Sequence, residues 1–194
     1  RSSAASDVYK RQGFTWVSRA LREHLEIPVA AVNRINTPEI GEAVIERGDA
    51  DLVCLARPFL ADPSFVSKAR ENRPDEINTC IACNQACLDH TFSGKRMSCL
   101  VNPRAMRETE LVLGPTRTAE QIAVVGAGPA GLAFAEAAAQ RGHRVTLFEE
   151  HTEIGGQFQL ARLIPGKEDY AHTIRYFRTR LAELGVTVHT GRTA

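Results

Sequence analysis

No charge of one sign dominates this 194-residue sequence: 24 Lys and Arg stand against 23 Asp and Glu, a formal net charge of +1. Without a run of like charges it has no electrostatic footprint for a nucleic acid, and no such partner is expected. Long apolar runs are missing too. The longest charge-free apolar stretch, Ile122 to Ala135, has 14 residues and includes three glycines and a proline. It falls short of the ~20 needed to cross a bilayer, so no membrane partner is expected. The opening residues, Arg1-Ser2-Ser3-Ala4-Ala5-Ser6-Asp7, lack the apolar core of a secretory signal. A disulfide framework is also unsupported, because the five cysteines are an odd number and four of them lie between Cys80 and Cys99. That clustering suits metal ligation in a reducing compartment, the cytoplasm. What remains is a globular balance, 43% hydrophobic and 24% charged, in a chain long enough for one large domain or two small ones.

Residues 1–12 carry no periodic apolar pattern and are set apart as a remnant. From Phe14, apolar residues at Val17, Leu21 and Leu25 have helical spacing, which ends before Pro28. Val29-Ala30-Ala31-Val32 reads as a buried strand. Thr37-Pro38-Glu39 then supplies an N-cap, a first-turn proline and an acidic first turn for a helix closed by Gly48. The cycle repeats with a second buried strand, Leu52 to Ala56, and a helix opened by Asp62-Pro63 with Phe65, Val66 and Ala69 as its apolar positions. Two consecutive strand-plus-helix units imply a parallel sheet. Residues 73–118 show neither helical nor strand period, and a bound metal is the expected organiser. From Gln121 regularity returns: a strand Ile122 to Val125, a glycine turn, an alanine-rich helix to Gln140, and a strand Val145 to Phe148. A helix over about 168–184 and a strand Val186-Thr187-Val188 follow. A doubly wound domain needs more strands than these, so the sequence is expected to be an internal piece of a longer chain.

Three constellations carry chemistry. Cys80, Cys83, Cys87 and Cys99 have two, three and eleven residues between them. Three close thiolates can wrap one corner of a cubane cluster while a distant fourth closes the site. Structural zinc more often takes two pairs of ligands from two knuckles, so the spacing favours an iron–sulfur cluster over zinc. His90 is a substitute ligand or a solvated loop residue, and Cys54, inside a strand, reads as a small buried hydrophobe.

Gly126-Ala127-Gly128-Pro129-Ala130-Gly131 lies between a strand and a helix. There the first glycine permits a tight turn, the second lets a pyrophosphate approach the backbone, and the third lets helix and strand pack closely. Glu149, 18 residues after the third glycine, stands where a carboxylate can accept from a ribose. Its neighbour Glu150 is expected to point elsewhere, and Gly155-Gly156-Gln157 adds a second flexible approach of backbone. The bland alternative is a glycine turn that only packs. Finally, Asn33-Arg34 and Ala56-Arg57 each follow a strand, with 23 residues from one arginine to the other. Adjacent parallel strands would bring both guanidiniums to one sheet edge, where the last strands of a (β/α)8 barrel commonly bind phosphate, although two loop arginines alone also suit solvated roles.

Taken together, Asn33-Arg34-Ile35-Asn36-Thr37-Pro38, Ala56-Arg57-Pro58-Phe59-Leu60-Ala61-Asp62, the block Cys80 to Asp89 with Cys99-Leu100-Val101-Asn102-Pro103, and Gly126 to Gly131 with Gly155-Gly156-Gln157-Phe158 resemble a known family. It is the Old Yellow Enzyme-like iron–sulfur flavoproteins, which include trimethylamine dehydrogenase, and within them the bacterial NADPH-dependent 2,4-dienoyl-CoA reductases. The resemblance implies an α/β fold. Residues 13–72 would be the last two βα units of an FMN-binding TIM barrel, 73–118 a [4Fe-4S] segment, and 119–194 the start of a Rossmann-like FAD/NAD(P)-binding domain.

In such an enzyme electrons pass from NADPH through FAD, the cluster and FMN to an acyl-CoA substrate. The resemblance assigns Arg34, Ala56 and Arg57 to the FMN phosphate, Cys80, Cys83, Cys87 and Cys99 to the cluster, and Gly126, Gly128, Gly131, Glu149, Gly156 and Gln157 to FAD. It names no catalytic acid in this sequence and leaves the oligomeric state open. On its own the polypeptide is expected to be inactive. Two alternatives stand beside the reductase: an amine dehydrogenase or demethylase of the same family, and a self-contained cluster-binding electron-transfer module.

Overall fold

The computed structural model describes residues 14–193; the remnant read at residues 1–12 lies outside the described residues. Two compact units are present, one running through Met106 and the other starting at Arg107. No helix among the described residues is long and apolar enough to cross a membrane.

The first unit contains α1 (Thr15–Arg22), β1 (Ala30–Val32), α2 (Pro38–Glu46), β2 (Leu52–Cys54), α3 (Arg57–Ala61), α4 (Phe65–Arg70), a 3-10 turn (Pro74–Glu76) and α5 (Leu88–Phe92). The two strands pair in parallel, as the repeated βα pattern requires, with Ala31 opposite Val53 and Val32 opposite Cys54. Alternation splits this ribbon into two faces. Ala31 and Val53 pack with Ile35, Ile40, Val44 and Ala50 into a small core. Helix α2 supplies much of it, held at its start by the Thr37 side chain, which accepts from the Ile40 N–H.

The opposite face, with Val32, Leu52 and Cys54, is exposed. Both strands were expected to be buried throughout, and Cys54 with them; only one face of the ribbon is covered, so Cys54 lies open. Helix α1 also differs from expectation. Its Val17 and Leu21, and Leu25 beyond its end, are exposed, whereas Thr15 and Ser18 are buried. On that side Arg22 donates to the Gly48 carbonyl and pairs with Asp51 at 2.8 Å. The polar stripe Thr15-Ser18-Arg22 thus faces inward. In α4 only Phe65 is buried and Val66 faces out.

The irregular segment is organised by side chains gripping backbone. Buried Asp62 accepts from Lys68 Nζ (2.7 Å) and the Asn78 N–H (2.9 Å), and Lys68 also donates to the Glu76 carbonyl. Asn36 donates to the Cys80 carbonyl, Asn78 to Val101 and Asn102 to Leu60, at 2.7–2.8 Å. Ile77, Ile81 and Ala105 are buried among these bonds. A polar lattice therefore fixes a stretch without period, and within it α5 is a short helix that its composition did not announce.

The second unit comprises β3 (Gln121–Val125), α6 (Pro129–Gln140), β4 (Arg144–Phe148), α7 (Phe158–Ala161), α8 (Tyr170–Glu183) and β5 (Thr187–His189). Its sheet is parallel in the order β3-β4-β5. Val124, Leu147, Leu132, Ala135, Ile174, Phe177 and Leu181 belong to one continuous core between sheet and helices. Tyr176 of α8 donates to Glu136 of α6 at 2.5 Å, tying the two helices across their polar edge.

Candidate functional site

The strand-end arginines come together. Arg34, just past β1, and Arg57, just past β2, line one open cavity of about 300 Å³ with Asn33, Ile35, Ala56 and Pro58, at the lower end of the size range of small-molecule sites. Parallel pairing produces this, because it sends both strand ends to the same edge. Asn33 (φ 81°) and Arg34 (φ 57°) adopt left-handed backbone, a conformation non-glycine residues keep only where surroundings hold it.

Cys80, Cys83, Cys87 and Cys99 line a second cavity, together with Arg57, Asn84 and Val101. Left-handed turns at Ala82 and Asn84 fold the first three cysteines back on themselves, and the lattice around Asn78 and Asn102 brings Cys99 to them. Burial pushes the Cys80 thiol up to about 11 and raises Cys83 and Cys99 as well. Backbone N–H groups oppose that shift, Ala82 at Cys80, Gln85 at Cys83, and Val101 and Asn102 at Cys99; the nearby positive charge of Arg57 also opposes it at Cys80 and Cys83. Donors aimed at sulfur favour thiolate over thiol, the form in which cysteine binds metal. Among the described residues no three His, Cys, Asp or Glu side chains converge on a single ion. His90 lies apart, its Nδ1 3.1 Å from the Arg96 carbonyl.

In the second unit the glycine turn joins β3 to the N-terminus of α6. Gly126 has φ 93°, and a Cβ on Gly126 or Gly128 would meet open space, which leaves the backbone open to a pyrophosphate. Gly131 is different: a Cβ there would run into the Gly126 carbonyl. Gly156 (φ 51°) leans on Gly128, its ideal Cβ only 2.9 Å from the Gly128 Cα, and the Gly155 N–H donates to the Ala127 carbonyl at 2.7 Å. The two glycine segments are thus one structural piece, and Gln157 is exposed at the start of α7.

Glu149 is buried at the end of β4. Its Oε2 accepts from the Ala127 N–H (2.6 Å), while its Oε1 accepts from the His151 N–H (3.0 Å) and lies 2.9 Å from His151 Nδ1. The His151 and Ala127 N–H groups hold its carboxyl below the usual range. In this geometry Glu149 anchors the glycine turn from beneath, and Glu150 is exposed.

Two sequence families meet in the chain. Residues 1–76 match the NADH:flavin oxidoreductase / NADH oxidase family, a match that takes in residues 1–12, and residues 124–184 match the NAD(P)-binding Rossmann-like domain. The amino-terminal segment is thus similar to the flavin oxidoreductases. A metal reductase of Desulforamulus reducens is 46% identical over 182 residues, covering 93% of this chain and 27% of that protein. Among solved structures, 2-naphthoyl-CoA reductase in complex with 2-naphthoyl-CoA superposes with a TM-score of 0.91 at 34% identity, over 96% of this chain and 29% of its own. Histamine dehydrogenase from Rhizobium sp. 4-9 gives 0.85 at 29%, over 97% and 28%. The chain therefore spans little more than a quarter of these relatives, all of them oxidoreductases.

Sequence reasoning missed the asparagines. Asn33, Asn36, Asn78, Asn84 and Asn102 all bond across the first unit. Their available signal was residue type, since Asn accepts left-handed backbone and offers both donor and acceptor.

Proposed function

We propose that this chain is the cofactor-linking part of a flavoprotein that moves electrons from NADPH to the conjugated double bonds of a 2,4-dienoyl-CoA, as fatty-acid β-oxidation requires. One observation carries the reading: Arg57 lines both the strand-end cavity and the four-cysteine cavity, so a phosphate cradle and a thiolate donor set share one guanidinium. Cys80, Cys83, Cys87 and Cys99 ligate a [4Fe-4S] cluster in this reading, Arg34, Ala56 and Arg57 hold the FMN phosphate, and Gly126, Gly128, Gly131, Glu149, Gly156 and Gln157 hold FAD. The donor set fits the cluster, with four thiols on one cavity and N–H groups aimed at sulfur. When bound, the cluster carries electrons singly between two flavins.

The chain's own residues bind and orient. Arg34 and Arg57 neutralise a phosphate dianion at the strand ends. The lattice of Asp62, Lys68, Asn78 and Asn102 keeps the thiols at fixed separation, and Glu149 keeps the glycine turn in its phosphate-accepting shape. No residue here is assigned as catalytic acid, and the 194 residues alone are inactive in this reading. Four free thiols point to a reducing compartment, the cytoplasm.

Likeness to 2-naphthoyl-CoA reductase favours a conjugated acyl thioester. Likeness to histamine dehydrogenase favours the second reading, amine oxidation by the same cofactors. The deciding experiment uses the intact native protein, purified anaerobically and assayed for iron, sulfide, FMN and FAD, then for NADPH oxidation driven by a 2,4-dienoyl-CoA. Dienoyl-dependent turnover is the expected result. Reduction of the flavin by an amine, with none of its turnover by dienoyl-CoA, replaces the reading with the second, and a protein without iron removes the cluster.

A further inference from the structure

Two asparagines from separate loops present their side-chain carbonyls to one guanidinium. Arg57 donates through Nη1 to Asn84 Oδ1 at 2.5 Å and through Nη2 to Asn33 Oδ1 at 3.3 Å. Asn33 belongs to the lining of the strand-end cavity and Asn84 to that of the cysteine cavity, while Arg57 belongs to both. Each asparagine sits in left-handed backbone, φ 81° and 62°, a conformation Asn accepts more readily than other residues with a side chain and which here aims its amide at Arg57. The clamp is therefore placed to transmit a change of geometry: a displacement of the guanidinium acts on both left-handed turns together.

We infer that Arg57 is a positioning residue that couples the two sites, so that an anion held in the strand-end cavity tightens the cysteine loop on its metal, and metal in the cysteine loop tightens the anion site. The physical basis is shared ordering. An anion drawing Arg57 into one orientation removes the freedom of Asn84, and the cysteine loop then loses less on closing around its ligand; linkage makes the effect reciprocal. This inference rests on the proposed cluster and FMN sites and adds a dependence between them that neither site requires.

The test is iron release from the intact, anaerobically purified protein to a ferrous chelator, compared with FMN bound and after FMN is removed. Removal is expected to speed release at least about fivefold, the lower end of typical coupling, and added inorganic phosphate is expected to restore part of the slow rate. Asn84→Gly, which retains the left-handed turn without strain but lacks the carbonyl, is expected to release iron at one rate whether or not FMN is present. Asn84→Asp, which keeps an acceptor, is expected to restore the dependence, and Arg57→Lys, which lacks the planar fork that reaches both carbonyls, is expected to lose it. A purely structural role for the clamp would change thermal stability in all variants without this pattern. Equal release rates with and without FMN in the unaltered protein overturn the coupling while leaving the cofactor reading intact. Absence of iron from the native protein overturns both.

Discussion

Between β3 and β5 the glycine turn rests on a continuous apolar core, whereas the cysteine loop of the first unit rests on side chains that grip backbone carbonyls and amides. In the second unit Leu132, Leu147 and Leu181 are fully buried beneath the glycine turn. In the first, the core around Val44 and Ile40 is small, and the work passes to Asp62, Lys68, Asn78 and Asn102. Apolar packing is tolerant of direction and sensitive to volume; hydrogen-bond lattices are the reverse. The two units should consequently fail in different ways.

The largest separation comes from Cys83→Ser in the intact protein. It is expected to abolish iron and sulfide loading and to lower the thermal transition of the first unit, because ligand binding contributes directly to folding. FAD content and the transition of the second unit should not move, and a common shift measured by calorimetry would break the contrast. Next, Asp62→Ala leaves the half-shielded Lys68 ammonium and the buried Asn78 N–H without their carboxylate, for a loss of about 3 kcal/mol. Its readout is the urea midpoint of the first unit, together with looser retention of iron.

Leu147→Ala is the counterpart in the second unit. A fully buried leucine in a continuous core costs roughly 2–5 kcal/mol on truncation, so FAD should be lost while iron stays. Gly156→Ala is subtler. The added methyl approaches the Gly128 Cα to 2.9 Å from a backbone with φ 51°, a strain of about 1–2 kcal/mol, and flavin titration should show weaker binding with little change in fold by circular dichroism.

The smallest effect is a pH dependence confined to the second unit. The Glu149 carboxyl is held below its ordinary 4.5, chiefly by the His151 N–H, so its stabilisation is complete above that value and disappears as pH falls through the lowered one. His151 is raised from 6.5, chiefly by its hydrogen bond to Glu149. Its contribution is complete below 6.5 and disappears as pH rises through the raised value. A thermal midpoint that is highest between these limits, and an acid limb flattened in Glu149→Gln, are the expected observations.

The contrast also explains what could be read from residues alone. Helix α6 ends at Gln140 and α8 matches its expected stretch within two residues, because their apolar positions recur with helical period over a one-sided core. The pairing of β1 with β2, and with it the meeting of Arg34 and Arg57, followed from the repeated βα pattern. The same logic failed at α1, whose polar stripe Thr15-Ser18-Arg22 faces inward while Val17 and Leu21 are exposed. It failed again at Cys54, since a short apolar run does not reveal whether one face of a strand or both are covered. The asparagine clamps left no period at all: a side-chain amide that bonds a carbonyl forty residues away is set by tertiary geometry.

The contact between Gly128 and Gly156 has an evolutionary corollary. The contact is one-sided: a side chain on Gly156 would grow into the Gly128 Cα, whereas one on Gly128 would meet open space, so this packing restricts drift at Gly156 and not at Gly128. Among descendants of this sequence Gly156 should be retained wherever the turn keeps this shape, while packing against it places no demand on the side chain at Gly128.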